Sequence, residues 1–144
     1  FGAGVHMLIA NGNKDHPLRA IADGAQVTWF VANQDPVTAR KRWISGQLEP
    51  RGVLHIDQGA ERALSSGKSL LPAGVTHLEG SFDRGDAIII RSSDGRELGR
   101  GLIAYSNTEA ERIIGRKSTD IETLLGYNGG DELVHRDNLA LSRK

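Results

Sequence analysis

Asp94-Gly95 stands between Ile88-Ile89-Ile90 on one side and Leu98 to Tyr105 on the other. An Asp-Gly pair between two apolar runs is a strong hairpin signal, because both residues accept the positive φ of a tight turn. Asp86 to Arg91 is predicted as a buried strand and Leu98 to Tyr105 as its antiparallel partner. Gly99 and Gly101 inside that partner allow the bends that a small barrel needs. The 144 residues include 18 glycines, and only 5% are aromatic. That balance suits a loop-rich β domain better than a helical bundle.

The neighbouring segments extend the pattern. Val53 to Ile56 reads as a short strand. Asp57 is predicted to cap a helix with Ala60, Ala63 and Leu64 on one face and Gly67 at its end. Ser69 to Val75 is too rich in glycine and proline for helix or long strand. His77 to Phe82 alternates like a half-exposed strand. Asn107 is expected to cap a helix with Ala110, Ile113 and Ile114 inward. Thr119 and Glu122 have capping-box spacing for another, with Ile121, Leu124 and Leu125 inward and Gly126 as its stop. Glu132 to Arg136 reads as the last strand, and Ser142-Arg143-Lys144 is expected to fray.

The first third has a different texture. Val5 to Ala10 reads as a strand closed by Asn11-Gly12. Pro17 suits the first position of a short helix, with Leu18, Ile21 and Ala22 on one face and Gly24 as its stop. Val27 to Val31 is a second strand. Strand, helix and strand with short connections is the grammar of a parallel α/β unit. One such unit cannot bury both faces of a sheet, so residues 1–33 are expected to be a piece of a larger α/β domain. The opening residue is Phe1, and a strand-like run follows within four residues. This reading places the chain's start inside a larger fold. Such an orphaned piece should also expose apolar strand faces, a route to self-association. Asp35-Pro36 begins a connector containing Arg40-Lys41-Arg42-Trp43-Ile44. A basic triplet beside tryptophan can bind phosphate or stack a base. Three charges make a weak patch, so a short helix pinned by Trp43 and Ile44 to a neighbouring domain is the preferred reading.

Composition narrows the chemistry. Hydrophobic residues make up 38% and charged residues 25%, which marks a globular chain. There are no cysteines, so disulfides and thiolate metal sites are excluded. No stretch is long and apolar enough to span a bilayer as a helix. Eighteen basic residues balance eighteen acidic ones. Residues 49–144 hold thirteen basic and fifteen acidic, a balance unlike that of a dedicated nucleic-acid binder. His135-Arg136-Asp137 looks like the start of a protein-kinase catalytic loop, but its later asparagine and the glycine-rich strand loop are missing. Gly2-Ala3-Gly4 lacks the rest of a phosphate loop. The histidines His6, His16, His55, His77 and His135 are scattered without i, i+4 spacing. No complete active site is visible.

Gly67-Lys68-Ser69-Leu70-Leu71-Pro72-Ala73-Gly74-Val75 is the most informative segment. A glycine after a helix and another before a strand make a tight loop that lets backbone approach closely and offers N–H donors to phosphate. Lys68 adds a positive charge. The plainer reading is a crossover loop with Leu70 and Leu71 in the core, and both can hold together.

At this loop the chain resembles the PUA domain, a small pseudo-barrel with short helices. The order Asp57 to Val75 and then Asp86 to Tyr105 carries that likeness. Adding Arg40 to Ile44, Leu124-Leu125-Gly126-Tyr127 and Val134 to Asp137, the chain is similar to the C-terminal third of the bacterial glutamate 5-kinase family. The resemblance implies a mainly β fold with short helices, a PUA-like pseudo-barrel preceded by a βαβ remnant of an α/β amino-acid-kinase domain. Its implied divisions are 1–34 for the kinase remnant, 35–51 for a connector, 52–138 for the PUA-like domain and 139–144 for a tail. It implies a cytoplasmic parent that phosphorylates the side-chain carboxylate of glutamate with ATP and Mg²⁺, opening proline synthesis. No catalytic, cofactor or metal residue carries over, and this piece alone is expected to be inactive, with a regulatory or assembly role. The rest of the kinase chain and further copies of it are the implied partners, with no membrane. RNA is a further implied partner, at Lys68, Ser69, Gly74 and Arg84, and a stand-alone RNA-binding module is the alternative reading.

Overall fold

The computed structural model describes residues 5–32, 35–46 and 48–142. The chain divides into two compact units, residues 1–40 and 41–144. The expected Gly2-Ala3-Gly4 segment and the end of the tail at 143–144 lie outside the described residues.

In the first unit, β1 (Met7–Ile9) leads to α1 (Pro17–Ala22) and β2 (Thr28–Phe30). Pro17 stands at the start of α1, and Gly24 follows it at φ 89°. The strands pair antiparallel, with Met7 opposite Phe30 and Ile9 opposite Thr28. This corrects the expected parallel βαβ unit. A strand–helix–strand pattern fixes element order but not strand direction, and antiparallel pairing needs no crossover over a sheet face. No residue of α1 is buried, and Leu18 is 81% exposed. Met7, Ile9 and Trp29 are exposed as well. The boundary between the units falls within α2 (Pro36–Gly46). Ile44 is fully buried but Trp43 is half-exposed, so only one of the two expected anchors is taken up in packing.

The second unit is built on a five-stranded sheet. Its strands are β3 (Gly52–Ile56), β4 (Val75–Gly80), β5 (Ala87–Arg91), β6 (Glu97–Leu102) and β7 (Leu139–Leu141), in the spatial order β4-β3-β5-β6-β7. Among the described strands of this sheet, only β3 and β5 run parallel. The parallel step is made by the long connection through α3 (Gln58–Ser65) and β4. The β5–β6 hairpin forms as expected, and Gly95 takes φ 84° in its turn. Ser92, buried at that turn, hydrogen-bonds the Asp94 carboxylate, which holds the Asp94 carboxyl below its usual range. The pairing of described strands does not close a barrel.

One face of the sheet supplies Leu54, Ile56, Ile88 and Ile90 to the core. Their alternation with half-buried Val53, His55 and Ile89 follows from the two-residue strand period. Two short helices, α4 (Asn107–Ile113) and α5 (Ile121–Leu125), add Ala110, Ile113 and Ile121.

Three local expectations need correction. Ser106, not Asn107, is the N-cap of α4, and Glu109 turns back to accept from the Ser106 N–H at 2.9 Å and its hydroxyl at 2.8 Å. Thr119 does not cap α5; a 3-10 turn, Ser118–Asp120, leads straight into that helix, and Thr119 bonds Asp120 instead. Glu132 to Arg136 makes only one isolated bridge, Val134 to Leu70. The last strand is β7, inside the expected tail. Leu139 and Ala140 are 5% and 7% exposed there, so 139–141 packs as part of the sheet.

Candidate functional site

The loop between α3 and β4 forms the floor of an open groove of about 610 Å³. Three stretches of chain build it. Asp57 caps α3 by accepting from the Ala60 N–H at 2.7 Å, which fixes where the helix starts. Asp57, Gly59, Ala60 and Ala63 present that helix to the groove. The loop itself contributes Lys68 to Leu71, Ala73 and Gly74. Pro72 is buried and starts a 3-10 turn, Pro72–Gly74, that leads into β4. The opposite wall is Glu132, His135 and Arg136.

Backbone bonds hold these stretches together. Leu70 N–H donates to the Val134 carbonyl at 2.8 Å, and Leu133 N–H returns to the Leu70 carbonyl at 2.8 Å. The Ser69 hydroxyl oxygen accepts from the Arg136 N–H at 3.0 Å. Asp57 N–H donates to the Gly74 carbonyl at 3.0 Å, tying the end of β3 to the start of β4. Leu70 is fully buried while Leu71 is half-exposed, so the expected apolar pair splits between core and groove.

Three of the four residues singled out in the sequence, Lys68, Ser69 and Gly74, line this groove together. Arg84 does not line it. Its charge acts on Tyr105, Glu109 and Tyr127 instead. Burial raises the Tyr105 pKa, and Arg84 partly opposes that effect. Arg136 and His135 were missed as groove residues. They belong to the His135-Arg136-Asp137 triplet, and no spacing rule links them to a loop 67 residues away. The groove lining thus mixes two cations, Lys68 and Arg136, with two acids, Asp57 and Glu132, around half-exposed Leu71. Such a groove suits a ligand with apolar and polar parts. The described residues hold no group of three histidine or acidic side chains set to bind a metal ion, and no helix among them is long and apolar enough to cross a membrane.

Comparison with known proteins agrees with this architecture. The family described as PUA domain matches residues 52–125. Over 139 residues, 96% of its length, the chain is 60% identical to a glutamate 5-kinase of Nitrobacter winogradskyi. Over the same length it is 57% identical to a glutamate 5-kinase of Rhodopseudomonas palustris strain BisA53. The chain spans 37% of the length of each of these curated relatives. Among solved structures, a PUA domain from Aeropyrum pernix K1 is 24% identical, with a TM-score of 0.44, covering 59% of this chain and 41% of that one. The match to the family takes in more than half of the residues, and the chain belongs to the PUA domain family.

Proposed function

We propose that this chain is the PUA-bearing, C-terminal portion of a cytoplasmic glutamate 5-kinase. In this reading the parent transfers the γ-phosphoryl group of ATP to the side-chain carboxylate of L-glutamate, with Mg²⁺ on the phosphates, in the first step of proline biosynthesis. ATP, Mg²⁺ and glutamate are handled outside these 144 residues, and no residue here is assigned to them. The observation that carries the reading is the reach of the identity. It extends over 139 residues, well beyond the 52–125 of the PUA match, and so includes most of the first unit. The exposed apolar side chains Met7, Ile9, Leu18 and Trp29 support it, since such a surface is completed by further chain.

The role proposed for the chain itself is regulation or assembly of the kinase, without catalysis. Lys68, Ser69, Gly74 and Arg136 are proposed as the groove through which a regulatory ligand acts. The test compares the full parent reading frame with the 144-residue chain for glutamate-dependent release of ADP from ATP. The parent is expected to be active and the chain silent. Turnover by the chain alone would refute its non-catalytic role, and a parent without glutamate-dependent turnover would refute the kinase reading.

A further inference from the structure

Asparagine precedes glycine twice in the sequence, at Asn11-Gly12 and at Asn128-Gly129. Locally the two pairs are alike. Asn11 Oδ1 accepts from the Asn13 N–H at 3.0 Å, and Asn128 Oδ1 accepts from the Gly130 N–H at 3.1 Å. Each bond folds the side-chain amide back over the glycine that follows it. Neither glycine N–H donates a hydrogen bond among the described residues.

The surroundings differ. Asn11 is exposed, and a Cβ built on Gly12 would meet nothing within 4 Å. Asn128 is exposed as well, but Gly129 is wedged between two rings. A Cβ there would lie 2.8 Å from Tyr105 Cε1 and 2.9 Å from Tyr127 Cε2. Tyr105 is fully buried, and its hydroxyl donates to the Gly130 carbonyl, which pins the backbone just beyond.

We propose that Asn11 is a site of spontaneous deamidation driven by the chain's own backbone, and that packing against Tyr105 and Tyr127 protects Asn128 from the same reaction. The Gly12 nitrogen attacks Asn11 Cγ, forming a new N–C bond. The Gly12 proton passes to the side-chain amide, which leaves as ammonia. Water then adds to one of the two carbonyls of the resulting five-membered imide and reopens it. Opening one way leaves aspartate. Opening the other way leaves isoaspartate, with the main chain running through the former side chain. Both reacting groups belong to neighbouring residues, so the rate depends on how freely the glycine nitrogen can swing against Cγ. Gly12 has open space for that swing, whereas Gly129 cannot make it without displacing the tyrosines.

The position gives the change a consequence. Asn11 lines a cavity of about 200 Å³ together with Lys14, Pro17, Ala20 and Ile21, between the end of β1 and α1. The product carboxylate would share that cavity with Lys14. Isoaspartate would also add a methylene to the main chain just after β1. This inference does not depend on the kinase reading.

The experiment incubates the full 144-residue chain at mildly alkaline pH and follows both asparagines by peptide mapping, with electron-transfer fragmentation to separate isoaspartate from aspartate. We expect both products to accumulate at residue 11. Asn128 should react more than about tenfold more slowly while the chain is folded, because ring closure there waits on local opening. In guanidinium chloride the two rates should converge. Gly12→Ala, which the open space accommodates, should slow the reaction at residue 11 by more than about tenfold, since the added methyl misplaces the attacking nitrogen. Circular dichroism verifies that this variant is folded. An unmodified Asn11, or aspartate as the sole product there, would overturn the proposal. So would equal rates at the two sites in the folded chain, or a difference that survives unfolding.

Discussion

The Tyr127 hydroxyl donates to Glu109 Oε1 at 2.6 Å, binding the segment after α5 to the first turn of α4. The same carboxylate accepts the Ser106 N–H and hydroxyl through its other oxygen. Tyr127 thus completes a cap that already satisfies the start of α4. Tyr127→Phe is expected to destabilise the chain by about 1 kcal/mol, less than a buried bond to a charged group because Tyr127 is 40% exposed. Urea unfolding at neutral pH measures it, and an unchanged midpoint would count against the bond.

That bond also sets a pH dependence. Tyr127 is the largest cause holding the Glu109 carboxyl below its ordinary 4.5, with the Ser106 bonds next. A carboxyl with a depressed pKa contributes stability that is fully present above the ordinary value and is lost as pH falls through the folded one. The gap between wild type and Tyr127→Phe should therefore be full at neutral pH and close only in acid, as pH falls past the ordinary 4.5 and through the lowered folded value. Tyr127 itself is pushed above its ordinary 10.0, chiefly by its bond to Glu109, so the gap should close again at strongly alkaline pH. A gap that stays constant from neutral to acid pH would assign the effect to packing alone.

Gly74 is required by a neighbour rather than by a turn. A Cβ built there would lie 2.5 Å from the Cβ of Ala60 on α3. Gly74→Ala should push the loop off the helix and cost about 1–3 kcal/mol, the usual range for overpacking. Ala60→Gly removes the atom it strikes. The double variant should recover part of the loss, less the helix penalty of about 1 kcal/mol for glycine. A thermal-unfolding double-mutant cycle checks the coupling, and simple additivity would show that the two residues do not meet.

Asp57 links capping to the groove. Its side chain satisfies the Ala60 N–H, and its own N–H holds Gly74. Asp57→Ala should cost about 1 kcal/mol through the lost cap. Asp57→Asn keeps an acceptor in place and should recover most of that in the same denaturation series. If the two variants unfold alike, the carboxamide does not cap and charge is what matters.

Legibility in the sequence followed the range of the interaction. The β5–β6 hairpin, the Asp57 cap and the stop at Gly126 rest on residues within a few positions, where turn and cap chemistry is specific. The direction of β2 and the true last strand depend on pairing across the chain. Met7 opposite Phe30 and Gly99 opposite Leu141 leave no local mark. Glu132 to Arg136 reads as a strand, yet in the structure buried Val134 makes one isolated bridge, to Leu70. The groove was half readable for the same reason. Lys68, Ser69 and Gly74 share one loop, whereas Arg136 reaches Ser69 only through tertiary packing.

The role of β7 gives the last prediction. Beyond the bends expected at Gly99 and Gly101, the missing side chain of Gly99 lets β7 lie against β6, and that of Gly101 makes room for Val134. A Cβ on Gly99 would lie 2.7 Å from Leu141 Cα, and one on Gly101 would lie 2.6 Å from Val134 Cγ1. Residues 139–141 therefore cover backbone that nothing else in the sheet pairs with, and Ser142 N–H extends the contact to the Leu98 carbonyl at 2.9 Å. A chain ending at Asn138 should lose the burial of Leu139 and Ala140 together with that pairing. The expected cost is about 3 kcal/mol, most of it the transfer of one leucine to water. Amides of β6 from Gly99 to Gly101 should exchange hydrogen faster in the shortened chain than in the full one. If the shortened chain keeps its unfolding midpoint and its β6 protection, β7 is an appendage and the sheet ends at β6.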